Sequence, residues 1–295
     1  MGSTASDALL VSTDGAVRTL TLNRPARLNA LNGDLNQALA AALDEAEADD
    51  GVRVLVVTGS PRLDGRPCFS AGGDVKAQAE GGAAALKERS HDLVRDIAGA
   101  YSGDYLAMQG GRANFRRIET FPKIVIAAVG GVCVGGGLEL ALACDLVVVA
   151  DTAALGDPHV TLHSFTSGGG LTNTLARLVG VQKAKELVLL GGTVDGREAV
   201  RIGLANRVVP EGSLAAEAGK IAAAVAGLDP VAARMAKVLA NAAPDIDRER
   251  GLRFDSLAWS MEMTLRGGQY RGAAQFLAER EQRKDTGEGR RNGAS

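Results

Sequence analysis

The sequence predicts an α/β fold that ends in a wholly helical region, and three observations carry this. A β-branched alternating run, a run of helical period and a second apolar, valine-rich run follow one another between residues 16 and 60, and parallel strands need a crossover of that length between them. Further along, strand-like segments alternate with glycine-rich turns and helix formers, as in "KIVIAAVGGVCVGGGLELALACDLVVVAD". From about Pro210 to Arg283 the strand patterns cease and Ala- and Leu-rich helical periodicity takes over. The composition thus divides the chain into a mixed core, residues 1–209, and a helical region, residues 210–295.

In chain order, "AVRTLTLN" (16–23) alternates as a half-buried strand should and closes on the turn-like "NRPARLNAL". Residues 34–49 place apolar side chains at helical spacing with an acidic end, and "VRVLVVTGS" then reads as a buried strand ending in a glycine turn. Residues 75–121 mix helix formers with glycine pairs ("AEGGAAALKE", "YSGDYLAMQGGRANF"), which predicts helices separated by mobile loops, a lid over a site. "KIVIAAV" is a strand, "GGVCVGGG" a turn, "LELALACD" a helix and "LVVVAD" a strand; "VQKAKELVLLGG" and "DGREAVRIG" are amphipathic helices, and "TGEGRRNGAS" is a frayed tail.

With 46% hydrophobic and 23% charged residues, the chain has the make-up of an ordinary globular protein. A formal net charge of −2 gives no long-range pull toward polyanions, so neither nucleic acid nor an anionic membrane is the expected partner. Cys68, Cys133 and Cys144, odd in number and without C-x-x-C spacing, argue against a disulfide framework or a thiolate metal site. They read as small apolar fillers in a reducing, cytoplasmic setting. The N-terminus lacks the pattern of a signal peptide, and no segment approaches the ~20 apolar residues of a membrane span.

The chemistry concentrates in the glycine-rich turn. Consecutive glycines between a strand and a helix leave backbone N–H groups uncovered at a helix N-terminus, where negative charge is favoured. The G-x-G-x-x-G spacing of a dinucleotide site is absent, and no G-K-[ST] follows, so what remains is a short-range oxyanion site. Glu139 lies on the helix that these glycines open, among Leu138, Leu140, Ala141 and Leu142. A carboxylate there is costly unless it is paired or reacts, which points to a cleft. The alternative is a first-turn glutamate favoured by the helix dipole by a few tenths to about 1 kcal/mol. A second glycine stretch, "PCFSAGGDVK" (67–76), repeats the arrangement, and two such loops could each donate one N–H to a single carbonyl oxygen.

"LTLNRPARLNAL", "FSAGGDVK", "VCVGGGLELALACDLVVVAD", "LARLVGVQKAKELVLLGGTVDGREAVRIGLANRVVP" and "AAQFLAERE" together resemble, in order and over nearly the whole chain, the crotonase or enoyl-CoA hydratase/isomerase superfamily. The resemblance implies a crotonase-like spiral of ββα turns with a C-terminal helical trimerisation region, acting on acyl-CoA thioesters as a homotrimer or dimer of trimers. It implies an oxyanion hole from the N–H groups of Gly73 and Gly136, with Glu139 as the first catalytic glutamate. It also implies a coenzyme A-binding turn at Arg27 and Leu28, and contact of the backbone at Ala71, Gly72, Gly73, Asp74 and Val75 with the adenine. No permanently bound cofactor and no metal are expected, coenzyme A being part of the substrate.

Two departures bear on the reaction. Hydratases carry a second glutamate, in a G-x-P-E segment, twenty residues after the first; here "GDPH" puts His159 in that slot. An imidazole can exchange a proton near neutral pH, but beside a carboxylate it favours an ion pair where two carboxylates disfavour joint ionisation. The alternative for His159 is a turn residue bonded to backbone; His163 reads as a partner or lid residue and Asp157 as a turn cap. The loop "LHSFTSGGGLTN" also lacks the I-P-G-x-G-G-T-Q form of hydratases. It is nearer to dihydroxynaphthoyl-CoA synthases and ring-opening hydrolases, but Thr166 and Ser167 stand where those have aspartate. Crotonase-like β-diketone hydrolases carry histidine at the slot of His159, paired with an aspartate that the sequence does not identify here. The leading expectation is therefore enoyl-CoA hydration or isomerisation through a thioester enolate, with Glu139 and His159 as proton carriers. An acyl-CoA or β-diketone hydrolase using His159, and a catalytically weak CoA- or RNA-binding scaffold, are the alternatives.

Overall fold

A computed structural model of the chain describes residues 7–74, 110–164 and 166–265. The chain divides into two compact units, residues 1–237 and 238–295. The first begins with a hairpin, β1 (Leu9–Asp14) and β2 (Val17–Leu22), paired antiparallel with Asp14 opposite Val17. The two-residue turn is possible because Gly15 takes φ +55°. Helix α1 (Gly33–Ala48) is capped by the Asn32 side chain, which accepts from Leu35 N at 3.0 Å. It buries Leu35, Leu39 and Leu43, spaced one helical turn apart. It is the crossover between β2 and the parallel strand β3 (Val54–Gly59), as the sequence predicts.

Then follow β4 (Cys68–Ser70), α2 (Gly110–Glu119), β5 (Ile124–Val129), β6 (Val132–Val134), α3 (Gly136–Ala143), β7 (Leu146–Ala150) and β8 (Ala154–Gly156). Strands β3, β5 and β7 lie side by side in one parallel sheet, and β4, β6 and β8 in a second, so successive ββα turns feed one strand to each sheet. This is the expected ββα spiral. One expectation is corrected: "VCV", read as part of a glycine-rich turn, is strand β6, paired in parallel with β4 and β8. It is too short for its alternation to register between the flanking glycines. The lid expected over residues 75–121 falls outside the described residues as far as 109; from Gly110 the chain is α2.

Helices α4 (His159–His163), α5 (Leu171–Val179) and α6 (Val181–Leu190) precede β9 (Thr193–Val194), α7 (Gly196–Arg201) and β10 (Arg207–Val209). The large sheet runs β1-β2-β3-β5-β7-β10 and is parallel except for the first pair; the small one runs β4-β6-β8-β9 and is parallel except for the last. Strands buried on both faces explain the valine runs. Leu55, Val57, Val125 and Val129 face a core shared with α1 and α3, whereas Val54, Val56, Ile126 and Val148 face Ala218 and Ala222 of α8 (Leu214–Ala226). Because α8 covers the large sheet, the first compact unit extends past the compositional change at Val209. The last described helices are α9 (Pro230–Ala242) and α10 (Arg248–Leu265).

The three cysteines are buried, and burial pushes the Cys68 thiol up to about 11 and raises those of Cys133 and Cys144 well above the usual thiol range, so they remain protonated fillers. On α9, Lys237 Nζ reaches inward to Ile118 O (3.0 Å) and Asp145 Oδ2 (2.9 Å), and Asp145 also accepts from Val125 N at 2.8 Å. Burial holds the Asp145 carboxyl above its usual range against the opposing pull of Lys237. Removing Lys237 leaves a buried carboxylate unpaired, so Lys237→Met should lower stability by about 3–5 kcal/mol in urea titrations at neutral pH. A carboxyl whose pKa is raised on folding binds more protons folded than unfolded, so the deficit should narrow as pH falls toward 5; a deficit constant with pH would show that Asp145 is not its source.

Candidate active site

The site is built at one edge of the small sheet. Strands β4, β6 and β8 are parallel neighbours, so the segments leaving their C-terminal ends emerge side by side, a position where open α/β sheets bind ligands. The first carries Ala71–Asp74, the second Gly135–Gly137 and the start of α3, the third Asp157–His159.

The first segment is clamped to residues 24–31. Leu31 pairs with Gly73 as a parallel bridge, using Leu31 N to Gly72 O (2.7 Å) and Asp74 N to Leu31 O (3.0 Å). In that pattern the N–H of Gly73 points away from Leu31. Leu28, with φ +52°, accepts from Ala71 N at 2.9 Å, and Arg24 pairs with Asp74 at 2.9 Å. The Asp74 carboxylate thus anchors its own loop. Arg27 lies exposed on the short 3-10 turn at Pro25–Arg27. Val75, also expected in the coenzyme A contact, lies outside the described residues.

The glycine triplet is a matter of clearance. A Cβ on Gly72 (φ +90°) would lie 2.9 Å from both Gly136 N and Val134 O; one on Gly136 would lie 3.4 Å from Gly73 N; one on Gly137 would lie 2.4 Å from Ser70 O. The two loops therefore touch backbone to backbone. Gly136 is the first residue of α3, so its N–H has no partner within the helix. The amides of Gly73 and Gly136, singled out by the sequence, are brought together at a helix N-terminus.

Glu139 lies in the first turn of α3 and is 9% exposed. Its Oε1 accepts from Gly169 N at 2.9 Å and from the Ser167 hydroxyl, while Oε2 makes no hydrogen bond among the described residues. Ser167 Oγ in turn accepts from Leu171 N (3.1 Å) in the first turn of α5. Neither partner of Glu139 was legible in the sequence, although "SGGG" marked the loop.

His159 opens α4 with its side chain 14% exposed. Its Nδ1 lies 2.5 Å from Asp157 Oδ1, which also accepts from His159 N at 3.1 Å. Asp157 is fully buried, and its Oδ2 has no hydrogen-bond partner among the described residues. The expectation of a turn cap is thus incomplete: Asp157 caps the turn and holds the imidazole. The ring's Cε1 edge would meet a Cβ on Gly135 at 3.3 Å, so His159 flanks the N-terminus of α3. His163 meets it edge-on with ring centroids 6.4 Å apart. Among the described residues no cluster of three or more His, Cys, Asp or Glu side chains could hold a metal ion.

The packing of the first two loops can be tested by contrast. Gly72→Ala forces a backbone clash as well as an unfavourable φ and should cost more than Gly170→Ala, where φ is +93° but nothing lies within 4 Å. Overpacking of this kind adds about 1–3 kcal/mol in denaturant titrations; equal losses would mean that the loops are not in contact.

The sequence matches the enoyl-CoA hydratase/isomerase family over residues 12–105 and 91–282. It is 35% identical to a probable enoyl-CoA hydratase of Mycobacterium tuberculosis over 93% of this chain and 96% of that one. It is 32% identical to a crotonyl-CoA hydratase of Syntrophomonas wolfei, covering 94% of this chain and 97% of that one. Among solved structures, an enoyl-CoA hydratase from Bacillus anthracis superposes with a TM-score of 0.77 at 30% identity, covering 93% of this chain and 96% of that one. The spiral of ββα turns, the two apposed glycine loops and these relationships agree: the chain belongs to the enoyl-CoA hydratase/isomerase family.

Proposed function

We propose that the protein adds water to, or shifts the double bond of, an α,β-unsaturated acyl-CoA by way of a thioester enolate. The observation that carries this reading is the apposition of the Gly73 and Gly136 amides at the start of the helix that bears Glu139. Two fixed donors at a helix N-terminus stabilise charge that develops on a thioester carbonyl oxygen. Among the described residues Glu139 is held through Oε1 alone, which leaves Oε2 to accept a proton.

In hydration, the oxygen of water bonds to the β-carbon as Oε2 of Glu139 takes one of its protons. The π electrons move through the α-carbon to the thioester oxygen, where the two amides hold the enolate. A proton delivered to the α-carbon by the second carrier, His159, completes the addition, and proton return from Glu139 resets the pair. Isomerisation uses the same enolate with a proton removed from one carbon and returned to another. The names of the relatives, enoyl-CoA and crotonyl-CoA hydratases, support the substrate class. We assign coenzyme A contacts to Arg27, Leu28 and the backbone of residues 71–75 by resemblance, with no cofactor beyond the coenzyme A of the substrate.

One observation favours a second reading. A histidine held by a buried aspartate suits a general base that activates water, as thioester or C–C hydrolysis would require. Assembly as a trimer or dimer of trimers, also by resemblance, would cover Phe254, Leu257, Trp259 and Met261, which α10 exposes. No described helix is long and apolar enough to cross a membrane, and the unpaired cysteines suit a cytoplasmic setting.

Crotonyl-CoA separates these readings. Loss of the enoyl absorbance without release of free thiol is expected, and Glu139→Gln should lower kcat about 10²-fold or more with KM changed far less. Thiol release at the rate of substrate loss would instead establish hydrolysis, and undiminished turnover by Glu139→Gln would remove Glu139 from the chemistry.

A further inference from the structure

Asp157 is the buried group that the proposed reaction leaves unused. Its side chain is fully enclosed, one oxygen serves both the ring and the backbone of His159, and the other has no partner. A carboxylate so placed is costly unless it acts on a neighbouring charge. The spacing explains the geometry: Pro158 turns the chain between the two residues, so the ring folds back onto the acid that precedes it. Where hydratases place a glutamate directly, this chain places an imidazole with a carboxylate behind it. With the imidazole neutral, the pair carries the same single negative charge as that glutamate.

We propose that Asp157 is a positioning residue: it keeps the proton of the neutral His159 ring on Nδ1, fixes the ring at the N-terminus of α3 and stabilises the imidazolium whenever His159 takes up a second proton. Asp157 and His159 together then stand in for the second glutamate of the hydratases. This inference rests on the role given to His159 above. The acid is reached through the ring, which is held at Nδ1 by Asp157, lies beside Gly135 and meets the His163 ring edge-on. A ring held this way presents one tautomer, as the histidine of a catalytic triad is held by its aspartate.

Asp157→Asn keeps the shape and can still cap the turn, but its amide group can donate to Nδ1 and so favours the other tautomer. In the full-length protein, nitrogen NMR of the histidine ring should find the neutral ring protonated at Nδ1 in the parent and at Nε2 in Asp157→Asn. Turnover of crotonyl-CoA should fall about 10²-fold in kcat with KM within about threefold, and the same change made in His159→Gln should cost nothing further. Losses that multiply in the double variant would assign Asp157 a purely structural role and overturn the proposal, as would an unchanged tautomer. If His159→Gln retains full turnover, the positioning role fails even where the tautomer moves. If the parent protein does not turn over crotonyl-CoA, the functional reading fails, and the tautomer still decides whether Asp157 governs the ring.

Discussion

The structure depends on one close approach, that of the loop after β4 to the N-terminus of α3. Gly72 and Gly137 leave no room for a Cβ, which would lie 2.9 Å from Gly136 N and Val134 O in the first case and 2.4 Å from Ser70 O in the second, and Gly136 packs against Gly73 N. Backbone groups that approach so closely are held in place by packing. The rest of the fold serves this contact. Parallel pairing of β4, β6 and β8 brings the three loops to one edge, and the bonds of Leu28 and Leu31 to the first loop set its height.

The site's titratable groups are organised as asymmetrically as its amides are symmetric. Glu139 is gripped through one oxygen by Gly169 and Ser167, and His159 is held at Nδ1 by Asp157. Ser167 and Gly169 both bond to Oε1 and so fix the orientation of the Glu139 carboxylate. The grip on Glu139 comes from the chain some thirty residues later, that on His159 from two residues earlier, and so the two side chains are oriented by unrelated parts of the fold.

Much of this was legible in the residues. The β2–α1–β3 unit follows from alternation, helical spacing and a second apolar run, and the observed bounds differ from the expected ones by a residue or two. Glu139 and the two glycine stretches stood out because glycine runs and an acid on an apolar helix are local features, whereas Gly73, Gly136 and His159 were assigned by resemblance to the family's motifs. Strand β6 did not stand out, because three residues between glycines carry no periodicity, and β8, β9 and β10 are as short. The partners of Glu139 were hidden for a different reason: contact between Glu139 and Ser167 is a property of the folded chain, with no trace in spacing. Asp157 stood in plain view beside His159, yet its complete burial and its contact with the ring Nδ1 are properties of the folded chain.

The Lys237 contact has a mechanical consequence for the helix that carries Glu139. Asp145 follows α3 by two residues and is tied to Val125 of the large sheet and to Lys237, while the opposite terminus abuts Ser70 and Gly72. An eight-residue rod supported at both tips can neither slide along its axis nor tilt without breaking one of these supports. Distant substitutions that loosen the far tip should therefore be felt as a drift of the Gly136 amide against the facing loop, even though they touch neither.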